Sequence, residues 1–280
     1  MLKVESTRSF NELVKSFRAR KGKALTNCFL MPDEVEKLTA EGKMLYGESE
    51  GWLTFLCDRD DYYSFFYYTA EDSDVNEVKE LIASVTDKDI FADIVSRNGR
   101  GDMLTPERLI NEGAAEKYKV YQRMQLDMKS FDFTSLEIKP ADGYRLCTDY
   151  CDCEKIVELW KNALDEKSTP LPGEEELKAL ASEGHLVSCL AEDGSLAAVV
   201  VLAVSGRQAL IQHLSVSGEH RRKGLADCLM KYCLLQADKE ELSALRLWVD
   251  CANTPAVALY DRLTFGNDGM LCEQLYMKGF

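Results

Sequence analysis

The sequence has 280 residues, of which 46% are hydrophobic and 29% are charged, and it contains 6 prolines and 17 glycines. This composition is typical of a globular chain of about two domains and excludes a disordered or fibrous protein. The formal net charge of −14 disfavours general binding to nucleic acid or to anionic membranes, because like charges repel.

No stretch of the sequence predicts a membrane span. The longest apolar run, Leu196–Val204, has nine residues, whereas a membrane helix needs about 20. Because Met1–Ser6 does not resemble a signal peptide, we expect a cytoplasmic protein with its 10 cysteines reduced. Cys147, Cys151 and Cys153 lack the spacing of a zinc site and the 3 histidines are scattered, so we expect no metal.

The first half of the chain alternates between helical and strand patterns. A short strand near Leu2–Glu5 is followed by two helices, a strand pair, and then a helix, a strand, a helix and a strand. The predicted helices are Ser9–Arg20, Pro32–Glu41, Val75–Val85 and one beginning at Thr105; the predicted strands are Trp52–Cys57, Tyr62–Tyr68, Asp89–Val95 and Tyr118–Met128.

The second half predicts the order β-α-α-β-β-β-α-β-α-β. Three of its strands follow one another and are separated by Asp-Gly and Ser-Gly turns, which indicates an antiparallel meander. The predicted strands are Tyr144–Thr148, His185–Ala191, Leu196–Val204, Gln208–Val216, Ala244–Asp250 and Leu271–Met277; the predicted helices are Asp152–Leu164, Glu174–Ser182, Gly224–Asp238 and Thr254–Leu263.

The two halves have nearly the same predicted order, except that one strand is lacking in the first. We therefore expect two domains, at residues 1–135 and 136–280, that arose by a degenerate internal duplication. The alternative is that two unrelated α+β domains share an order by chance.

A basic turn lies between the predicted strand 208–216 and the helix that follows it. Its sequence is His220-Arg221-Arg222-Lys223-Gly224-Leu225-Ala226. The unpaired N–H groups of a first helical turn and the positive end of the helix dipole point at one place, which predicts an anion pocket. Gly224 has no Cβ to keep a phosphate away, and Ala226 keeps the first turn narrow. The cationic residues before the glycine would attract an anion to an otherwise acidic protein.

This turn resembles the Arg/Gln-x-x-Gly-x-Gly/Ala signature of the GNAT N-acetyltransferase superfamily. A second stretch resembles the family's next strand and its Asn-x-x-Ala-x-x-Leu-Tyr motif, through Leu247–Val249, Asn253, Ala256, Leu259, Tyr260 and Phe265. Thr264 stands where the family usually has glycine. The resemblance covers about residues 140–280. It implies an α/β (α+β) GNAT fold, a mixed and mainly antiparallel sheet flanked by helices, in tandem if the first half is a degenerate copy.

The resemblance also implies an activity, the transfer of an acetyl group from acetyl-CoA to a primary amine by direct attack. Arg221, Arg222, Lys223, Gly224, Leu225 and Ala226 would then bind the pyrophosphate. Strand-edge groups of Leu214 and Val216 would bind the pantetheine, and the Leu214 N–H would receive the oxyanion. Tyr260 would protonate the leaving thiolate and bind the cofactor. Asn253 would touch the pantetheine, or only cap its helix.

The general base is left open between Asp250, His213 and water. Successive side chains of a strand point to opposite faces of the sheet, so His213 lies on the face opposite to Gln212 and Leu214, toward the helices. This favours a core histidine with its hydrogen bonds satisfied. The alternative function is a non-catalytic acyl-CoA-binding or sensing protein of the same fold.

The expected partner is a small-molecule or peptide amine, with no nucleic acid and no membrane, and the protein is expected to be a monomer or homodimer. The net acidity favours a cationic acceptor. In the first half, Thr69–Asp74 stands where a pyrophosphate turn should lie, and it has no glycine and no basic residue. We therefore expect one acetyl-CoA per chain, with the first half structural or shaping the acceptor site.

Overall fold

The computed structural model describes residues 1–83, 85, 88–98, 101–102, 104–165, 167 and 169–278, except for the side chain of residue 135. The chain forms two compact units. Unit 1 comprises Met1–Tyr121 with the C-terminal segment from Gly269, and unit 2 comprises Gln122–Asp268. In each unit a mixed sheet is flanked by helices, as predicted.

Unit 1 contains the predicted elements and two short strands that the sequence analysis missed. Its elements are β1 (Leu2–Lys3), α1 (Thr7–Lys21), β2 (Leu25–Thr26), α2 (Pro32–Ala40), β3 (Met44–Glu48), β4 (Trp52–Asp58), β5 (Tyr62–Thr69), α3 (Val75–Ala83), β6 (Asp89–Arg97), α4 (Leu104–Asn111) and the first part of β7 (Ala115–Asp127). The missed strands are β2 and β3. β3 is the strand that was lacking from the predicted order of the first half.

Unit 2 follows the predicted order closely. Its elements are β8 (Tyr144–Cys147), α5 (Cys153–Ala163), α6 (Glu174–Ser182), β9 (Leu186–Ala191), β10 (Leu196–Ser205), β11 (Gln208–Val216), α7 (Leu225–Lys239), β12 (Ala244–Asp250), α8 (Thr254–Arg262) and the start of β13 (Gly266–Met277). Up to α8 the bounds differ from the predicted ones by at most one residue at either end, because strand alternation and caps such as Asp152 before α5 are strong local signals.

Both units pair their strands in the same pattern. In unit 1, β1, β3, β4 and β5 pair antiparallel in that order, and β5 pairs in parallel with β6. In unit 2, β8, β9, β10 and β11 pair antiparallel, and β11 pairs in parallel with β12. An internal duplication would leave such a shared topology.

The last strand, β13, belongs to unit 1 over most of its length. Its residues Met270–Met277 pair antiparallel with Ile90–Arg97 of β6, and Leu275 is buried in the core of unit 1. The prediction that this strand closes the second domain is therefore wrong for its residues from Gly269 onward. Alternation identifies a strand, but it does not specify which sheet edge the strand joins. The division after Tyr121 likewise differs from the predicted boundary near residue 135.

The sheet of unit 2 is covered by helices on both faces. On one face, Val200 of β10 packs in a cluster with Leu229 of α7 and with α8; we call this the α7/α8 face. On the other, Val199 packs in a cluster with Trp160 of α5 and with α6; we call this the α5/α6 face. Burial on both faces explains the continuous apolar run that β10 shows in the sequence.

Candidate active site

Strand β11 contains a β-bulge near its end. Val201 of β10 pairs with Gln212, and Val199 pairs with Ser215. The segment of β11 between these two pairs is therefore one residue longer than the segment of β10 opposite to it. His213 lies in this stretch with a φ of 54°. The extra residue bends β11 at this point.

An opening begins between β11 and β12 at this bulge. The described parallel pairs run from Gln208↔Ala244 to Ile211↔Leu247 and stop directly before the bulge. Leu214 and Val216 lie beyond that point and pack, half-buried, against the α7/α8 face. β11 stays paired with β10 on its other side. In the described part of the chain, residues 212–216 thus have one edge that can accept an extended ligand as an added strand.

Helix α7 begins directly after this opening, at an exposed glycine. Gly224 is the N-cap residue, with a φ of 76°, and no side chain caps the helix. A Cβ at Gly224 would meet no atom of the described chain within 4 Å. Leu225 is buried and offers only its backbone N–H, while Ala226 is half-buried. The acidic Asp227 is paired with Lys231 at 3.0 Å. The uncapped N–H groups and the positive end of α7 can therefore receive an anion.

The three basic residues before Gly224 differ in their contacts. The Arg221 Nε donates to the Val216 carbonyl at 3.3 Å, and the Lys223 Nζ donates to the Tyr144 hydroxyl at 2.8 Å. Arg222 is exposed, with a φ of 61°, and makes no hydrogen bond or ion pair with another described residue. Among the described residues, Arg222 is thus the basic side chain of this turn that has no partner.

Tyr260 lies on α8 and is buried in the α7/α8 face. Its ring centroid is 6.2 Å from that of Phe265. Burial, with a smaller contribution from the Cys233 thiol, raises the pKa of Tyr260 to about 12. The phenol therefore keeps its proton at neutral pH and has one to donate.

Asn253 and Asp250 both stabilise the turn between β12 and α8. The Asn253 Oδ1 accepts the N–H of Ala256 at 3.2 Å as the N-cap of α8. The Asp250 Oδ1 accepts the N–H of Ala252 at 2.9 Å. Asn253 therefore caps its helix, which was one of its two predicted roles, and Asp250 lies half-buried at the end of the strand that borders the opening.

His213 lies on the α5/α6 side of the sheet, against a helix as predicted. Its ring centroid is 4.8 Å from that of Trp160, whose Nε1 donates to the His213 carbonyl at 2.9 Å. Its Nδ1 is buried and has no hydrogen-bond partner among the described residues, so the predicted satisfied histidine is corrected on that point. Burial lowers the pKa of His213 to about 4, and the ring is uncharged at neutral pH.

Acidification is expected to destabilise the protein through His213. Its pKa falls from 6.5 to about 4 on folding, so the unfolded state binds the proton more tightly. The stabilisation is complete above pH 6.5 and is lost as the pH falls toward 4, by about 1–2 kcal/mol between pH 7 and pH 5. Denaturant unfolding at these two pH values tests this, with His213→Asn as the variant, because asparagine tolerates a positive φ.

The variant should lose less unfolding free energy than the wild type between pH 7 and pH 5, and an equal loss would contradict the role of His213.

The cysteines do not form a metal site in the part of the chain that the structure describes. No group of three or more His, Cys, Asp or Glu side chains there could hold a metal ion. The Sγ atoms of Cys151 and Cys153 lie 3.6 Å apart, and the Cys147 thiol donates to Asp149 at 2.9 Å. None of the helices described is long and apolar enough to cross a membrane.

The sequence analysis missed Tyr144, which contacts the basic turn. Its hydroxyl lies 2.8 Å from the Lys223 Nζ and 2.9 Å from the His220 Nδ1. The sequence showed His220 among the cationic residues but gave Tyr144 no role beyond starting a strand. A separation of 76 residues between Tyr144 and His220 leaves no local pattern that could signal this contact.

Solved structures define the class of fold. A GCN5-related N-acetyltransferase from Sphaerobacter thermophilus has a TM-score of 0.58 at 12% identity and covers 99% of this chain and 94% of its own. A tandem GNAT protein from the clavulanic acid biosynthesis pathway has a TM-score of 0.60 at 12% identity, over 98% of this chain and 97% of its own. The predicted GNAT fold is therefore confirmed.

Sequence comparison finds a family match over part of the chain. Residues 152–265, less than half of the chain, match the sequence model of the Acetyltransferase (GNAT) family. The ribosomal protein bS18-alanine N-acetyltransferase of Escherichia coli is 29% identical over 83 residues, which are 30% of this chain and 56% of that protein. The chain thus spans about half the length of the curated relatives it matches.

Proposed function

We propose that the chain transfers an acetyl group from acetyl-CoA to an amine by direct attack. The observation that supports this most is the uncapped, glycine-led start of α7 directly after the opening beside β11. In this proposal the backbone N–H groups and basic side chains of residues 221–226 hold the pyrophosphate. The pantetheine arm lies along the open edge of β11 and bonds to Leu214 and Val216 as an added strand would.

The proposed reaction needs an oxyanion site, an acid and a base. The acceptor nitrogen attacks the thioester carbon and forms the C–N bond, and the N–H of Leu214 stabilises the charge that develops on the carbonyl oxygen. The C–S bond then breaks as the carbonyl re-forms, and Tyr260 donates its phenolic proton to the CoA thiolate. The nitrogen gives up the proton that the amide does not keep, and a proton returned through solvent restores the Tyr260 phenol. Before the attack, the acceptor ammonium gives a proton to Asp250, His213 or water.

The proposed acceptor is a primary amine of a small molecule or a peptide. The curated relative is named for N-acetylation of an alanine of a ribosomal protein, and a net charge of −14 favours a cationic acceptor. Release of free CoA thiol with a panel of amines, including a peptide that begins with alanine, tests the proposal. Saturable acetyl-CoA binding without thiol release on any amine would instead favour an acyl-CoA-binding or sensing protein.

In unit 1, the loop between β5 and α3 is bonded to its own unit. The hydroxyls of Thr69 and Ser73 donate to the Gly51 carbonyl at 3.0 and 2.8 Å. The Arg108 guanidinium donates to the carbonyl of Glu71 at 2.6 Å. These bonds close the start of α3, and the carboxylates of the loop would repel a pyrophosphate.

A side chain of unit 1 also occupies the edge of β5. The Nδ2 of Asn27 donates to the carbonyls of Phe65 on β5 and Asp93 on β6, at 3.0 and 3.2 Å. Its Oδ1 accepts the N–H of Tyr67 at 2.8 Å. A pantetheine amide would need the same backbone groups of β5, and Asn27 already forms hydrogen bonds with them. Over the described pairs the β4–β5 register is unbroken, and unit 1 has no counterpart of the β11 bulge.

Calorimetric titration of the full-length chain with acetyl-CoA is expected to give one site per chain. Gly224→Val should weaken this one site and leave no second site of wild-type affinity, because the matching positions of unit 1 are filled by its own loop and by Asn27. Two equivalent sites, or one site that survives in Gly224→Val, would contradict this division between the units. A fragment of residues 1–135 is unsuitable for the test, since its sheet lacks β13.

A further inference from the structure

The hydroxyl of Tyr144 joins the edge strand β8 to the basic turn before α7. It lies 2.8 Å from the Lys223 Nζ and 2.9 Å from the His220 Nδ1. The Tyr144 ring stands at 85° to the imidazole, with centroids 5.6 Å apart, and the Lys223 Nζ is 5.4 Å from the Tyr144 ring centroid. One side chain thus contacts both ends of the 220–223 segment.

Both polar contacts of Tyr144 are made by its hydroxyl. An ammonium group can only donate, so the Tyr144 oxygen accepts from Lys223. The same hydroxyl is hydrogen-bonded to the His220 Nδ1, with the direction set by which ring nitrogen carries the proton. Both bonds use the same hydroxyl, and removal of that oxygen breaks both.

The segment between these two contacts has a backbone that needs support. Arg222 has a φ of 61°, a conformation that residues other than glycine seldom adopt. Its neighbour Arg221 is tied to the Val216 carbonyl at 3.3 Å, and Lys223 is tied to Tyr144. The residues on both sides of Arg222 are therefore fixed, while the Arg222 side chain itself is exposed.

We propose that Tyr144 is a positioning residue for the CoA pyrophosphate. By holding His220 and Lys223, it pre-organises the turn so that Arg222 and the first N–H groups of α7 face one place. This inference rests on the proposed function of the site. Because the polar contacts of Tyr144 are on the turn, the residue acts on the nucleotide end of the donor and not on the thioester.

Tyr144→Phe tests the proposal, because it removes the hydroxyl and keeps the ring. The KM for acetyl-CoA should rise about five- to tenfold with kcat nearly unchanged, the size expected for the loss of one or two hydrogen bonds. With S-acetylpantetheine, a donor that lacks the pyrophosphate and the nucleotide, kcat/KM should stay at the wild-type value. Calorimetry with CoA and with pantetheine gives the same comparison without turnover.

Tyr150→Phe is the matched control, since the Tyr150 hydroxyl is buried and has no hydrogen-bond partner in the described chain. In Tyr150→Phe, kcat and KM should stay at the wild-type values with both acetyl-CoA and S-acetylpantetheine. An equal loss with both donors in Tyr144→Phe, or no loss with either, would overturn the proposal. If the wild type binds CoA but transfers no acetyl group, the proposed function fails, and the calorimetric comparison still decides the role of Tyr144. A wild type that does not bind CoA would refute both.

Discussion

Tyr260→Phe is expected to lower kcat by about ten- to a thousand-fold and to leave the KM for acetyl-CoA nearly unchanged. The substitution removes the proton that the leaving thiolate needs and keeps the ring that packs near Phe265. Because burial raises the pKa of Tyr260 to about 12, the wild-type phenol stays protonated throughout the neutral range. Steady-state kinetics from pH 6 to 9 should therefore show the deficit at every pH.

Substitution of a second tyrosine is the control that distinguishes loss of the general acid from loss of side-chain packing. Tyr232 lies on α7 and packs, half-buried, against the same core cluster. Tyr232→Phe should retain wild-type kcat. If Tyr260→Phe loses acetyl-CoA affinity and turnover together, or loses neither, Tyr260 is a packing residue and the acid lies elsewhere.

Gly224→Val is expected to weaken acetyl-CoA binding about a hundredfold or more. The new side chain would project into the open space before α7 and exclude the pyrophosphate from the first-turn N–H groups. Each charge-assisted hydrogen bond lost there contributes about 1.5–3 kcal/mol. The φ of 76° also strains valine, which should lower the unfolding free energy by about 1–2 kcal/mol. Calorimetry and denaturant unfolding measure the two effects separately.

Gly206→Val is the control for backbone strain. Gly206 lies in the turn between β10 and β11, with a φ of 60° and no described atom within 4 Å of an added Cβ. This variant should be destabilised like Gly224→Val and should bind acetyl-CoA normally. Unchanged acetyl-CoA binding in Gly224→Val, with an intact circular dichroism spectrum, would contradict the proposal that the pyrophosphate binds at this turn.

The elements predicted best are those whose signals are local. Apolar runs separated by Asp-Gly and Ser-Gly turns are enough to predict β9, β10 and β11, and Pro172-Gly173 marks the start of α6. The missed strand β3 contains Gly47 and has little alternation, and it is a strand because Leu45 and its neighbours pair with β4. Such pairing depends on residues that are distant in sequence, so a window along the chain does not contain it.

The candidate site shows the same limit. The Gly224 turn was predicted because its residues are contiguous and their chemistry is specific. The bulge at His213 was not predicted, because a positive φ at a residue other than glycine leaves no mark in the sequence. The Tyr144 contact was missed for a related reason, since it depends on how β8 folds back beside β9.

The place of β13 sets an order of events during synthesis on the ribosome. Residues 122–268 are contiguous, so the whole sequence of unit 2 is available before the C-terminal segment emerges. Unit 1 must wait, because the antiparallel neighbour of Ile90–Arg97 follows the whole of unit 2 in the sequence and is translated after it. Until then a nascent chain exposes the edge of β6 to any other strand, a hazard that chaperones commonly cover. The half of the chain that is made first is thus the half whose sheet is completed last.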